Sequence, residues 1–505
     1  MVAPTAVDPV DAFAGSRIRF EAVVSWLESP PAHALSHGEL EQQLQVDARE
    51  LFRQLLQEHL DLRADSESRI ADVTDHAGLP RPSAEPGHQR GLATVFGDVQ
   101  VRRIAYRLGH QCGAANLHPA DGVLNLPAEK HSHGLRHLAA VESSRGSFDG
   151  AVEAIERSTG QRVGKRQVEQ LAGRAAVDFE AFYAQRKPAA ATGDVLVLSC
   201  DGKGVVMRPE GLRPATAKAA ATTNPKLATR LSKGEKRNRK RMAEVGAVYD
   251  ITAVPRTTTD ILPGSDAQRR DATAGPTARN KWLTASVVDD AKTVVAAIFA
   301  EAHRRDPTYR RTWIALVDGN NHQIDRIHAE AKTRELTVTI LIDFVHVLEY
   351  LWKAAWSFHV EGDPAAETWV RRHAQTILAG GATRVAGALR RAATTAGLEP
   401  SRRENADTCA SYLTSKADYL NYQDALQQGW PIATGIIEGA CRHIVKDRLD
   451  LTGARWGLPG AEAILKLRAI RSNGDMDSYW SYHLSQEQHR IHQTRYANDV
   501  IPRAA

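Results

Sequence analysis

The sequence predicts an α/β protein, and three features carry that expectation. Three short apolar runs each end in an aspartate: "VLVLSC" before Asp201, "WIALV" before Asp318 and "TILI" before Asp343. Apolar runs of this length, bounded by polar or turn residues, suit strands buried on both faces. A helical pattern then fills 346–430, ahead of a late helix at 431–450, and two consecutive helices at 146–176 precede the first run.

At 505 residues the chain is long enough for more than one domain. Residues 1–93 read as an N-terminal helical region and linker, and 94–190 as a small β element followed by two helices. The segment 191–345 would form the first part of a sheet domain, 346–430 a helical insertion, and 431–505 the last part of that domain. No apolar run reaches the roughly 18 residues a membrane span needs, so a cytoplasmic, nucleoid-associated location with no membrane partner is expected. The four cysteines are scattered and form no CxxC pair, which argues against a disulfide framework or a structural zinc site.

Taken in order, "HGELEQQLQVDARELFRQLLQEHLDLR" places Leu40, Leu44, Leu51, Leu55 and Leu56 at helical spacing. That helix could pack on a second subunit or lie on the surface. "GLPRPSAEPGHQRG" at 78–91 reads as linker by its Pro and Gly content, and 94–109 alternates as a hairpin does. At 146–176 a helix, a turn through Gly160 and a second helix opening at "VGKRQVEQL" form a helix-turn-helix-like pattern. Its second helix would present Lys165, Arg166 and Gln167 to a DNA groove. A helix is expected at about 286–304. On the late helix, Thr434 is the expected N-cap and Glu438, Arg442 and Lys446 share a polar face away from the apolar stripe.

The net charge of +5 is modest, but its distribution is not even. The insert at 208–241 holds eleven Lys or Arg against two Glu, including Lys233, Lys236, Arg237, Arg239, Lys240 and Arg241. Such a segment suits a phosphate-rich partner, and nucleic acid is the natural one. Carboxylates at neighbouring strand ends, with Glu438 from a helix, suit two hard dications. Paired Mg²⁺ or Mn²⁺ ions can activate an attacking oxygen and stabilise a leaving one at phosphorus. Gly202 and Gly319, each following an aspartate, would keep that cleft open.

Longer stretches carry a resemblance: "SCDGKGVVMRPEGLR", "KLATRLSKGEKRNRKRMAEVGAVYDI", "ALVDGNNHQ", "LIDFVHVLEYLWKAAW" and "TGIIEGACRHIVKDRLDLTGARWGLPGAEAILKLRAIRSNGDMDSYW". From about residue 95 onward the chain resembles the DDE transposases of bacterial insertion sequences, most closely the ISKra type and more distantly the Mutator-like elements. The resemblance implies an RNase H-like catalytic domain interrupted by a helical insertion, with Asp201, Asp318 and Glu438 as catalytic metal ligands for two Mg²⁺ or Mn²⁺ ions. Asp343 and His346 match a Cys/Asp-x-x-His motif of the Mutator-like relatives. They would support the site, or Asp343 would replace Asp318 as the second acid.

The implied partners are double-stranded DNA, both as element terminal inverted repeats and as target, and further copies of the chain in a homodimer or higher oligomer. Arg442, Lys446 and Arg448 would hold phosphates near the glutamate or be ordinary helix-surface charge, and Arg455 with Trp456 could stack on an unpaired base unless Trp456 is buried, the more common place for a tryptophan. Two other functions share these residues: an RNase H-like nuclease or junction resolvase without strand transfer, and a domesticated non-catalytic DNA-binding protein.

Overall fold

The computed structural model describes residues 11–108, 115–222, 235, 238–451 and 453–503. Lys233, Lys236 and Arg237 lie outside them. The chain divides into two compact units, one of residues 1–184 and 475–505, the other of 185–474. Residues 475–505, which the sequence groups with the glutamate helix, therefore belong with the N-terminal unit. No helix among the described residues is long and apolar enough to cross a membrane.

In the N-terminal unit an antiparallel hairpin, β1 (Ser83–Thr94) and β2 (Gly97–Arg107), lies on the long helix His37–Asp65. Leu60, Leu92, Val99, Val101 and Leu126 close the core between them. The hairpin corrects the expected linker: "SAEPGHQRG" is strand, and its Pro86 and Gly87 fall where the register shifts between Glu85 and His88. A bulge tolerates the missing N–H of proline, so the residues that mimic a linker mark a kink in β1.

The helices His133–Arg145, Phe148–Thr159 and Lys165–Ala175 share a second core of Leu135, Ala139, Ala151, Ile155, Val168 and Leu171. Gly160 ends the middle helix in the left-handed conformation at φ 70°, which glycine adopts without strain. Lys165, Arg166 and Gln167 are exposed at the start of the third helix. Two of them have local roles there. Gln167 accepts from the Gly164 N–H at 3.0 Å, and Lys165 pairs with Asp149 at 2.6 Å.

The second unit is built on a mixed five-stranded sheet in the order β5-β4-β3-β6-β7. These strands are β3 (Val195–Val206), β4 (Lys240–Ile251), β5 (Arg279–Ser286), β6 (Thr312–Val317) and β7 (Thr339–Ile342). β3, β4 and β5 are antiparallel neighbours, and β6 and β7 run parallel to β3. The α/β class is therefore as expected. β5 was not anticipated: its polar opening, Arg279-Asn280-Lys281, hides a buried run from Trp282 to Ser286. The following helix consequently starts at Ala291 and ends at Arg305.

β3 also differs from expectation. It does not stop at Asp201 but runs on to Val206, paired with β4 as far as Val206–Lys240. What ends near Asp201 is the parallel ladder with β6, whose last pair is Leu198–Ala315. Beyond that point the strand has a neighbour on one side only. Helices Phe344–Ala355, Pro364–Leu378, Ala382–Thr395 and Pro400–Ser415 follow β7, matching the helical pattern of 346–430.

Candidate active site

The sheet register brings the three aspartates to one end. Leu198 pairs with Ala315, and three residues further along each strand stand Asp201 and Asp318. Val317 pairs with Ile342, so Asp318 and Asp343 follow as the next residues of neighbouring parallel strands. The Asp343 N–H donates to the Val317 carbonyl at 2.8 Å and keeps the two ends in step. Strand pairing thus brings Asp201 and Asp318, far apart along the chain, to the same end of the sheet, although neither joins a group of three ligand atoms within 4.8 Å among the described residues.

Their surroundings are unequal. Asp201 is half-buried; its Oδ1 accepts from the Gly202 N–H at 2.6 Å, and its Oδ2 from the Cys441 thiol at 3.2 Å. Burial and the adjacent Asp201 carboxylate push the Cys441 thiol up, so it stays protonated and keeps donating. Asp318 is half-buried and Oδ1 accepts from the Asn320 N–H at 2.9 Å. Asp343 is fully buried. Its Oδ1 caps the helix Phe344–Ala355 by accepting from the Val345 N–H at 2.7 Å. Its Oδ2 accepts from the Thr434 N–H at 2.9 Å and from the Thr434 hydroxyl.

Glu438 stands exposed on the helix Gly435–Ala440. Thr434, the expected cap of that helix, makes no side-chain cap, because its hydroxyl is turned to Asp343. Two contacts therefore fix the glutamate helix against the strand ends: Thr434 to Asp343, and Cys441 to Asp201. From Cys441 to Lys446 the helix widens into a π-helical turn, a distortion that is common at functional sites. Ile437, Ala440, Cys441, Ile444 and Val445 are buried, leaving Glu438, Arg442 and Lys446 outside.

Asp343, His346 and Glu438 each offer a ligand atom within 4.8 Å of the others. No ion pair among the described residues joins Asp201, Asp318, Asp343 or Glu438 to a lysine or arginine.

The glycine reading needs correction. A Cβ on Gly202 would meet the Met242 methyl at 2.9 Å, and one on Gly319 the Tyr412 hydroxyl at 2.7 Å. Gly319 also has φ +91°, where a side chain is strained. Both glycines make room for the protein's own side chains.

Two expected DNA contacts are also corrected. Arg448 is buried, its guanidinium 4.6 Å from the Trp456 ring centroid, and burial lowers its pKa to about 10. Trp456 is itself buried and donates from Nε1 to the Leu449 carbonyl at 3.1 Å. The pair is core packing. Arg455, Arg442, Lys446 and Lys240 are exposed, and Arg239 is half-buried. Arg241 donates from Nε to the Val287 carbonyl at 2.6 Å and from its terminal nitrogens to Gly211 and Val288, so it ties β4 to its surroundings.

Sequence inspection missed three participants. Cys441 gives no motif signal. The second role of Thr434 depends on a residue 91 positions away. Glu244 lies opposite Gly202 on β4, and burial raises its pKa; Arg213 opposes the shift and Asp201 adds to it. No protein-family model matches this chain, and no curated protein matches it.

Proposed function

We propose that this chain is a DNA transposase with an RNase H-like catalytic domain, which cuts phosphodiester bonds at element ends and joins the freed ends to target DNA. One observation carries the proposal most strongly. Asp201, Asp318 and Asp343 end up side by side on three adjacent strands, with the Glu438 helix fastened to two of them. The sheet order supports it too, with three antiparallel strands followed by two parallel to the first.

Asp201, Asp318 and Glu438 offer oxygen donors of the kind hard dications take, remain at least partly accessible and form no ion pair with a lysine or arginine among the described residues, though only Glu438 belongs to a group of three ligand atoms within 4.8 Å. Mg²⁺ or Mn²⁺ ions bound there would supply activation of the attacking oxygen and charge stabilisation on the leaving one. The chain's own residues do the rest. Cys441 and the Gly202 N–H hold the Asp201 carboxylate in one orientation, and the Asn320 N–H does the same for Asp318. Exposed Arg442 and Lys446 continue the polar face of the Glu438 helix and offer positive charge to a phosphate backbone, and exposed Lys240 offers it at the far end of β3. Lys165 and Arg166 offer a second basic surface for duplex DNA. Work on two element ends calls for two or more copies of the chain.

The test is a DNA fragment carrying an element end, incubated with full-length protein, Mg²⁺ and a target plasmid. Wild-type protein should give both cut and joined products. Asp201→Ala, Asp318→Ala and Glu438→Ala should each lower both by at least about a thousandfold while end binding persists. Cut product without joined product would make the chain a nuclease, and a fully active Asp318→Ala would remove that residue from the site.

A further inference from the structure

The acids are not equivalent, and the difference lies on the Glu438 side. Asp343 caps its helix at the N-cap position, and His346 occupies the third helical position, where side chains reach back toward the cap. Glu438 comes from a separate helix to the same point, and the three donor atoms lie within 4.8 Å of one another. Donors bound to a single dication at about 2.0–2.2 Å are roughly 3–4 Å apart, so small side-chain shifts close the group.

The spare valences agree. A carboxylate oxygen accepts about two hydrogen bonds. Asp343 Oδ2 already accepts two, from the Thr434 N–H and hydroxyl, while Oδ1 accepts one, from Val345. Oδ1 therefore keeps one direction for a metal. His346 Nδ1 stands 3.5 Å from Glu349 Oε2, which leaves Nε2 as the donor and Glu349 as the group that orients the ring. Glu438 is exposed and has only a long contact of 3.5 Å from the Thr434 hydroxyl.

We propose that Asp343, His346 and Glu438 form a mixed nitrogen–oxygen site for a first-row transition dication. Imidazole binds such ions better than it binds Mg²⁺, whose preference is for oxygen ligands. Asp201 and Asp318 offer oxygen alone and join no such group of three among the described residues. A metal held by Asp343, His346 and Glu438 would therefore differ chemically from one held by Asp201 and Asp318, discriminating against Mg²⁺ where oxygen ligands alone would accept it. The role of such an ion in DNA cleavage rests on the transposase proposal; the site itself does not.

The experiment uses full-length protein without DNA, Mn²⁺ as the probe and pulsed electron paramagnetic resonance to detect a directly bound nitrogen. Wild-type protein and Asp318→Asn should both show ¹⁴N coupling to Mn²⁺. His346→Gln and His346→Ala should abolish the coupling and weaken Mn²⁺ binding at least about tenfold, with Mg²⁺ binding little changed. Absence of the coupling in wild-type protein, or its survival in His346→Gln, overturns the proposal. Should both variants fail to fold, competition on wild-type protein decides: a site taking Mg²⁺ as tightly as Mn²⁺ also overturns it. Failure here leaves DNA cutting and joining untouched, whereas a confirmed nitrogen ligand in a protein that joins no DNA would sink the transposase proposal alone.

Discussion

Two groups of acids, one in each unit, are treated in opposite ways. In the N-terminal unit every acid of the central network has a cationic partner. Arg136, fully buried, donates to Glu129 at 2.6 Å and to Glu487 at 2.5 Å. It also donates to His483 Nε2 at 3.1 Å, so that ring bears its proton on Nδ1 and passes a hydrogen bond to Asp178 at 2.7 Å. Arg490 completes the set on Asp178 at 3.0 Å. In the second unit the acids at the strand ends have N–H, O–H and S–H donors but no lysine or arginine among the described residues. Charge is neutralised by ion pairs in one place and by no ion pair among the described residues in the other, which is what the proposed metal site requires.

The largest effect should come from breaking the paired network. Arg136→Met removes the buried cation shared by Glu129 and Glu487, leaving them only Arg174 and Arg490 at the margin of the network, and should cost about 3 kcal/mol. Hydrogen exchange of the helices His133–Arg145 and Met476–Ile491 would register it, and unchanged protection there would remove the network from the unit's stability.

Asp343 tests the border between the two classes, being in the acidic group yet accepting from three donors. Asp343→Ala strips the cap from the Val345 N–H and strands two Thr434 donors, for an expected loss of about 2–3 kcal/mol. Chemical denaturation of the second unit measures it. A neutral outcome would make Asp343 a ligand without a structural role.

Acid should discriminate as well. Burial pushes the Asp178 carboxyl up, but hydrogen bonds from His483 and Arg490 outweigh it and hold the pKa down at about 2. A depressed folded pKa means stabilisation that is complete above the unfolded value near 4 and lost as pH falls toward 2. The N-terminal unit should therefore lose about 2 kcal/mol over that window. Asp178→Asn should flatten the profile, and a profile identical to wild type would assign acid sensitivity elsewhere.

The smallest effect is expected where function is most exposed. Asp201→Asn and Asp318→Asn keep shape while removing charge that no ion pair among the described residues holds, so unfolding should change by no more than about 0.5 kcal/mol. A loss of several kcal/mol would mean these carboxylates are structural.

Part of this organisation is legible along the chain. The apolar runs before Asp201, Asp318 and Asp343 mark strands because local patterning reports burial on both faces. The exposure of Glu438 follows from helical spacing for the same reason. Pro86 and Gly87 mislead, since the residues that interrupt a strand ladder are those that build loops. β5 is hidden because only its second half is buried.

The sequence by itself determined that the apolar runs before the three aspartates are strands, that 346–430 and the Glu438 segment are helical, and that acids terminate those runs, because these properties depend on neighbours a few residues apart. Tertiary structure alone decided that Asp343 accepts from three donors while Asp318 accepts from the Asn320 N–H, that Thr434 serves Asp343 in place of its own helix, and that Arg448 and Trp456 stack in the core. Each of these depends on a partner brought near by strand register or helix packing, and one-dimensional spacing carries no record of that distance.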